Sequence, residues 1–260
     1  MTRTLLTIAG HDPSGGAGAL QDTAVFRSFG FHGAAILTAV TAQGPSGVRA
    51  VEPLRPKLVL VQHRALVRDI DLAGLKVGMA ATAENLAAVG RILGRHSGIP
   101  RVVDPILRSS SGVRLLEKGA AADWLEAVRR RASVLTPNLA EAGLLAGRTV
   151  DSVEAMAEAA GALFERTEVP CLVTGGHLPD AAVNVLYDGR KLYRITKKKL
   201  PRDVHGTGCF FSAALLSYLA LGRSLPRAAA LATEWTHLGI RAAVRLGRGR
   251  PVIPGFPSPA

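Results

Sequence analysis

Short apolar runs alternate with stretches of helical period along most of this chain, and that alternation constrains the fold more than any other feature. "TLLTIAG" is followed by "GALQDTAVFRSFG", "AAILTAVTA" by "PKLVLVQHRALVRDI", "GLKVGM" by "ENLAAVGRILGRH", "RVVD" by "AAADWLEAVRRR", and "SVLTP" by "NLAEAGLLAG", ahead of "CLVTGG". Strands joined through helices return to the same end of a sheet and pair in parallel. The expected fold is therefore α/β: a three-layer α/β/α sandwich with a mostly parallel central sheet. "AAVNVLYDGRKLYRI" turns at Asp188-Gly189 and predicts a hairpin, hence an antiparallel edge. Two long helices follow, from Thr207 to about Leu221 and from Leu225 to about Arg245. At 260 residues and 48% hydrophobic content the chain can bury a sizeable core. No linker or composition break divides it, so residues 1–260 read as one domain with a loose proline-rich tail over about 250–260.

Several function classes are set aside by composition. No apolar run reaches the roughly 20 residues of a membrane span, and the N-terminus turns polar too early for a signal peptide, which points to the cytoplasm. Cys171 and Cys209 are too few and too far apart for a disulfide scaffold or a cysteine zinc site. The net charge of +12 raises the question of nucleic acid. Its arginines are scattered, aromatics are only 5%, and no nucleic-acid module is visible, so a solvated basic surface is the better reading. A phosphate-bearing substrate suits the same balance.

In a parallel α/β sheet, ligands gather where strand ends meet helix N-termini. The first such loop, "GHDPSGGAGALQD", has Gly15, Gly16 and Gly18 for close backbone approach, yet it is neither a P-loop nor GxGxxG. Alone it reads equally as a turn. Asp104 ends the strand "RVVD" and is either a metal or catalytic carboxylate or a cap. Asn138 and Glu141, at i and i+3, put an amide and a carboxylate on one helix face, as Mg²⁺ with its retained waters would require. Helix capping accounts for the same pair more simply. In "HGTGC", Gly206 and Gly208 leave a helix N-terminus open to an anion such as phosphate. Cys209 in that first turn should have a lowered thiol pKa, unless it is only a small buried apolar residue.

Taken in order, "LTIAGHDPSGGAGALQD", "TAVTAQ", "KVGM", "VVDPIL…SSG", "TPNLAEA", "VTGGHL" and "HGTGCFFSAAL" resemble the hydroxymethylpyrimidine/phosphomethylpyrimidine kinases of thiamine biosynthesis, within the ribokinase-like superfamily. The resemblance runs from about Thr4 to Leu246. It implies a ribokinase-like fold, ATP as co-substrate, Mg²⁺, a pyrimidine alcohol and its monophosphate as acceptors, and a homodimer. Carried over by position, Gln43 reads the pyrimidine edge and Met79 packs on the ring, while Gly10, Asp12 and Gly18 border the substrate. Gly206, Thr207, Gly208 and Cys209 form the catalytic anion hole, with Cys209 as base. Asn138, Thr174, Gly175 and Gly176 approach the nucleotide, and Asp104 and Glu141 serve the metal. This chain has Thr174 and Ser110 where the family has lysines, which weighs on the second phosphorylation; Arg108 or one of Lys197, Lys198 and Lys199 are the candidate replacements. Pyridoxal, or another vitamin-like alcohol, is the alternative acceptor, and a pyrimidine-binding regulatory protein without catalysis is the alternative class.

Overall fold

The computed structural model describes residues 3–44, 46–109, 111–176, 178 and 181–255. The nine strands are β1 (Thr4–His11), β2 (His32–Gly44), β3 (Gly47–Pro53), β4 (Leu72–Val77), β5 (Arg101–Val103), β6 (Val134–Leu135), β7 (Cys171–Gly175), β8 (Ala181–Tyr187) and β9 (Leu192–Lys198). They form one sheet in the order β3-β2-β1-β4-β5-β6-β7-β8-β9. From β2 through β7 all pairings are parallel. The edges are antiparallel, β3 against β2 on one side and β8 and β9 on the other.

Helices cover both faces, and the pleat of the strands decides which residue meets which layer. Leu5, Val102, Val134 and Leu172 point to a layer made of α1 (Gly18–Ser28), α7 (Thr207–Ala220) and α8 (Leu225–Ala242), where they meet Phe26, Phe210, Leu215 and Trp235. Their neighbours Leu6, Val103, Leu135 and Val173 point the other way. There they meet Val59 of α2 (Pro56–Val67), Leu86 of α3 (Ala83–Arg95), Trp124 of α4 (Ala121–Val128), Leu145 of α5 (Leu139–Ala146) and Leu163 of α6 (Val153–Thr167). Central strands thus read as unbroken apolar runs because both of their faces are buried. Among the described residues no helix is long and apolar enough to cross a membrane.

Three details depart from the sequence reading. β3 was not foreseen: "GVRAVEP" buries only Val48 and turns Arg49 and Glu52 outward, so it lacks the apolar pattern of an inner strand and pairs along one side only. α8 ends at Ala242 rather than Arg245, because Ala243 is extended and Arg202 Nη1 donates to the carbonyls of Arg241 (2.9 Å) and Ala243 (3.5 Å). The tail is not loose as far as it is described. Val252 exchanges backbone hydrogen bonds with Val244, at 2.9 and 3.0 Å, and His205 N donates to Pro251 O at 2.9 Å. Ile253 is 4% exposed and lies against Gly239, where an added β-carbon would come within 3.1 Å of it. Proline content suggested disorder, but two apolar residues here have a buried seat.

Ile253→Ala should therefore destabilise the fold by about 2–4 kcal/mol, as for other buried large-to-small changes. Chemical denaturation measures this, and a change no larger than that of a surface substitution would show that the segment is not docked.

Candidate active site

The site is built where two loops cross at the carboxyl ends of the strands. α1 begins at Gly18, whose φ of +60° favours glycine and where a β-carbon would lie 2.4 Å from the carbonyl oxygen of Gly10. α7 begins at Gly206, with φ of +79°, where a β-carbon would fall 1.7 Å from the carbonyl oxygen of Gly16. The loop after β1 and the loop before α7 can meet only because neither presents a side chain at the crossing. Gly18 N–H then faces the sulfur of Cys209.

The crossing leaves the tip of α7 open. Gly206 supplies no side-chain cap, and the first intrahelical bond runs from Phe210 N to Gly206 O at 2.9 Å. The amides of Thr207, Gly208 and Cys209 precede that bond, and Gly208 at the tip is exposed. Such amides, with the helix dipole behind them, suit an oxyanion or phosphoryl group. Cys209 itself is 8% exposed, and burial pushes its thiol up to about 12 against the opposing pull of Lys76. The direction is opposite to the lowering expected from its place in the first turn, because loss of hydration outweighs the charge of Lys76.

Beneath the tip lies a charge cluster that the sequence reading did not find. Lys76 and Asp22 are fully buried, with Nζ 2.6 Å from Oδ1, and Thr7 Oγ1 donates to Asp22 Oδ2 at 2.6 Å. Burial opposes the Lys76 charge, but the carboxylate of Asp22 beside it outweighs burial and holds the ammonium protonated. The available signal was a lysine inside the apolar run "GLKVGM" and an aspartate on the buried face of "GALQDTAVF". Asp104 accepts from Ser212 Oγ at 3.1 Å, and a β-carbon on Gly208 would lie 3.9 Å from its Oδ2.

Asn138 and Glu141 form a reciprocal capping box at the start of α5, with both bonds at 3.0 Å. The capping explanation thus holds as local structure. Glu141 nevertheless reaches beyond its own helix: its Oε1 accepts from Leu107 N at 3.4 Å. Burial and then the charge of Asp104 raise the pKa of Glu141 to about 8, and burial raises that of Asp104 to about 6. Two buried carboxyls with hard oxygen donors, close enough to repel, fit a Mg²⁺ bound in part through water. Thr174 N donates to Pro137 O at 2.9 Å, which sets Thr174 beside Asn138. Gly175 is needed for packing, since a β-carbon there would stand 2.3 Å from Val183 O, whereas Gly176 faces open space. Ser110 lies outside the described residues.

On the other side of the crossing is a small pocket lined by Gln43, Gly47, Val48, Ser109, Ser111, His205 and Arg250. Met79 is not among its lining residues: it is 5% exposed, packs with Ala39 and Ala81, and accepts at its carbonyl from Thr38 Oγ1 at 2.5 Å. A β-carbon on Gly10 would be 2.8 Å from the Met79 sulfur, so this glycine makes room for the thioether. His205 Nε2 is 2.9 Å from Asp12 Oδ2 and 3.1 Å from the Gln43 amide nitrogen. Burial works against ionised Asp12, but hydrogen bonds from His205 and Ser14 outweigh it and hold its pKa below the usual range. The same ring nitrogen faces both the Asp12 carboxylate and the Gln43 amide nitrogen, while Thr41 Oγ1 donates to Gln43 Oε1 at 3.4 Å. Asp12, assigned only to the substrate border, thus acts through His205 on Gln43.

Residues 12–253 match the family model described as phosphomethylpyrimidine kinase. The chain belongs to that family. A hydroxymethylpyrimidine/phosphomethylpyrimidine kinase of Rhizobium meliloti (strain 1021) is 40% identical over 261 residues, 98% of each chain. One from Streptomyces coelicolor is 38% identical over 94% of this chain and 91% of its own. Among solved structures, the pyridoxal kinase from Staphylococcus aureus in complex with AMP-PCP superposes with a TM-score of 0.88 at 29% identity, over 97% of this chain and 93% of that one. The phosphomethylpyrimidine kinase of Clostridium difficile 630 gives 0.80 at 32% identity, over 92% and 100%. This kinase therefore shares the ribokinase-like α/β fold, as its sequence implied.

Asp104 and Glu141 hold their protons more tightly in the folded kinase than in the unfolded chain. Between about pH 4 and 8 the fold carries the extra protons, so these groups cost stability as pH rises through that window. Without divalent cations, the thermal midpoint of Glu141→Gln should fall less than the parent's between pH 5.5 and 8.5. Parallel curves would show that Glu141 is not the titrating group.

Proposed function

We propose that this kinase transfers the γ-phosphoryl group of ATP to the hydroxymethyl group of 4-amino-5-hydroxymethyl-2-methylpyrimidine and then to the monophosphate so formed. One observation carries the reading: an uncapped helix tip suited to a phosphoryl group shares its loop with His205, which fixes the amide of Gln43 in the neighbouring pocket. An acceptor held by Gln43 over Met79 would point its alcohol along that loop toward residues 206–209. An amide that donates and accepts at once suits a ring nitrogen beside an exocyclic amine.

The remaining roles follow the same geometry. Asn138 and Thr174, side by side at the ends of β6 and β7, would border the nucleotide with Gly175 and Gly176. Asp104 and Glu141 would hold Mg²⁺, which supplies charge neutralisation at the β- and γ-phosphates. The amides of Thr207, Gly208 and Cys209 would take up charge on the transferring group, in a reaction that depends mainly on positioning and electrostatics. The base role of Cys209 has to work against burial, since the thiol is the resting form near neutral pH. Pairing of two copies belongs to the same reading, with exposed Val40 of β2 and Leu58 and Val61 of α2 as apolar surface available to it.

Pyridoxal is the second acceptor to consider, because the pyridoxal kinase of Staphylococcus aureus superposes so well. Side-by-side turnover of hydroxymethylpyrimidine, its monophosphate and pyridoxal tests the proposal. The pyrimidine should be preferred by at least about tenfold in kcat/KM, equivalent to 1.4 kcal/mol in the transition state, and a preference for pyridoxal would reverse the assignment.

If Cys209 is the base, kcat of the parent should climb with pH into the alkaline range. That limb should vanish in Cys209→Ala, with pyrimidine KM changed far less than kcat. A variant that keeps the parent's rate and profile removes Cys209 from the chemistry.

A further inference from the structure

The two family lysines that Thr174 and Ser110 replace leave a question of charge. Two of the candidate replacements are engaged elsewhere: Lys197 pairs with Glu234, and Lys199 Nζ donates to Leu178 O at 2.6 Å. A different group of cations stands at the mouth of the acceptor pocket. A cleft of about 700 Å³ runs between the turn joining β2 to β3, at Ser46, the loop before α7 and the segment after α8. Its walls carry Arg202, Arg245, Arg248 and Arg250 against a single carboxylate, Asp203.

Three of these arginines are held by contacts to neighbouring segments. Arg202 is anchored to the carbonyls at the end of α8, and Arg245 Nη1 donates to Gly249 O at 3.2 Å, closing its own loop. Arg250 Nε is 3.3 Å from Asp203 Oδ2, which ties the two walls together. A guanidinium has five donors, so the single anchoring nitrogens of Arg202 and Arg245 hold the forks without exhausting them. Arg250 also lines the pocket with Gln43 and His205, so cleft and acceptor pocket share a wall.

We propose that this arginine cleft is an anion site that draws the phosphate of the monophosphorylated pyrimidine to the entrance of the acceptor pocket, before that phosphate moves on to the helix tip as acceptor. The inference rests on the function proposed above and adds a specificity element to it. Four guanidiniums facing one carboxylate favour a dianion over the neutral alcohol, and planar forks match phosphate oxygens in pairs. A charged rim acts mostly through encounter and is weakened by salt. The cleft should therefore govern KM for the phosphorylated acceptor and leave the phosphoryl-transfer step itself alone.

The test compares the parent with the double variant Arg245→Glu/Arg248→Glu, both exposed positions. Steady-state rates are measured with the alcohol, its monophosphate and ATP varied in turn, at low and at physiological salt. The expected result is a rise of about tenfold or more in KM for the monophosphate at low salt, shrinking as salt is added, with KM for the alcohol and for ATP moving less than about threefold. In parallel, inorganic pyrophosphate should raise the parent's thermal midpoint by more than the variant's, which keeps the helix tip but not the cleft. Equal losses for alcohol and monophosphate, or a loss confined to ATP, overturn the proposal. Should the parent phosphorylate no pyrimidine at all, the proposed function fails, and the pyrophosphate measurement still decides whether the cleft binds phosphoryl groups.

Discussion

Two backbones pass closer at the head of this molecule than any side chain would allow. The carbonyl of Gly16 occupies the space that a β-carbon on Gly206 would need, and the carbonyl of Gly10 does the same to Gly18. That approach brings Asp12 to His205, His205 to Gln43, and Gly18 N–H to the Cys209 sulfur. The proposed acceptor pocket and the helix tip proposed for the phosphoryl group are consequently parts of one junction. Positive φ at Gly206 and Gly18 is the local condition for it, and glycine meets that condition without strain.

Around this junction the charges are arranged by depth. The ion pair of Lys76 and Asp22 lies fully buried under the helix tip, and Asp104 sits between that pair and Glu141. Burial raises the cost of every net charge there, which keeps Cys209 a thiol and Glu141 protonated in the absence of a compensating cation. The outer rim is cationic, through arginines delivered by the segments on either side of α7 and α8.

Much of this was legible in the chain. Alternating apolar runs and helical stretches gave the parallel sheet, because period and length are local properties. The glycine loops, Asn138, Glu141 and the start of α7 were marked by their positions after strands, and Gln43 and Met79 by the family resemblance. β3 was not, since an edge strand that buries one residue leaves no period to read. The lysine in "GLKVGM" was visible as a motif residue, but its partner lies 54 positions away and only the packing of α1 on β4 joins them.

The sequence by itself determined the layers of the fold, the turn and cap chemistry, and the helix that begins with two unencumbered glycines, because each depends on residues a few positions apart. Tertiary structure decided the ionisation of Cys209, since desolvation is set by what packs over a group and not by its place in a helix. It also decided the seating of Ile253, the pairing of Lys76 with Asp22, and the convergence of Arg202 with Arg245, Arg248 and Arg250, all of which need distant segments brought into contact.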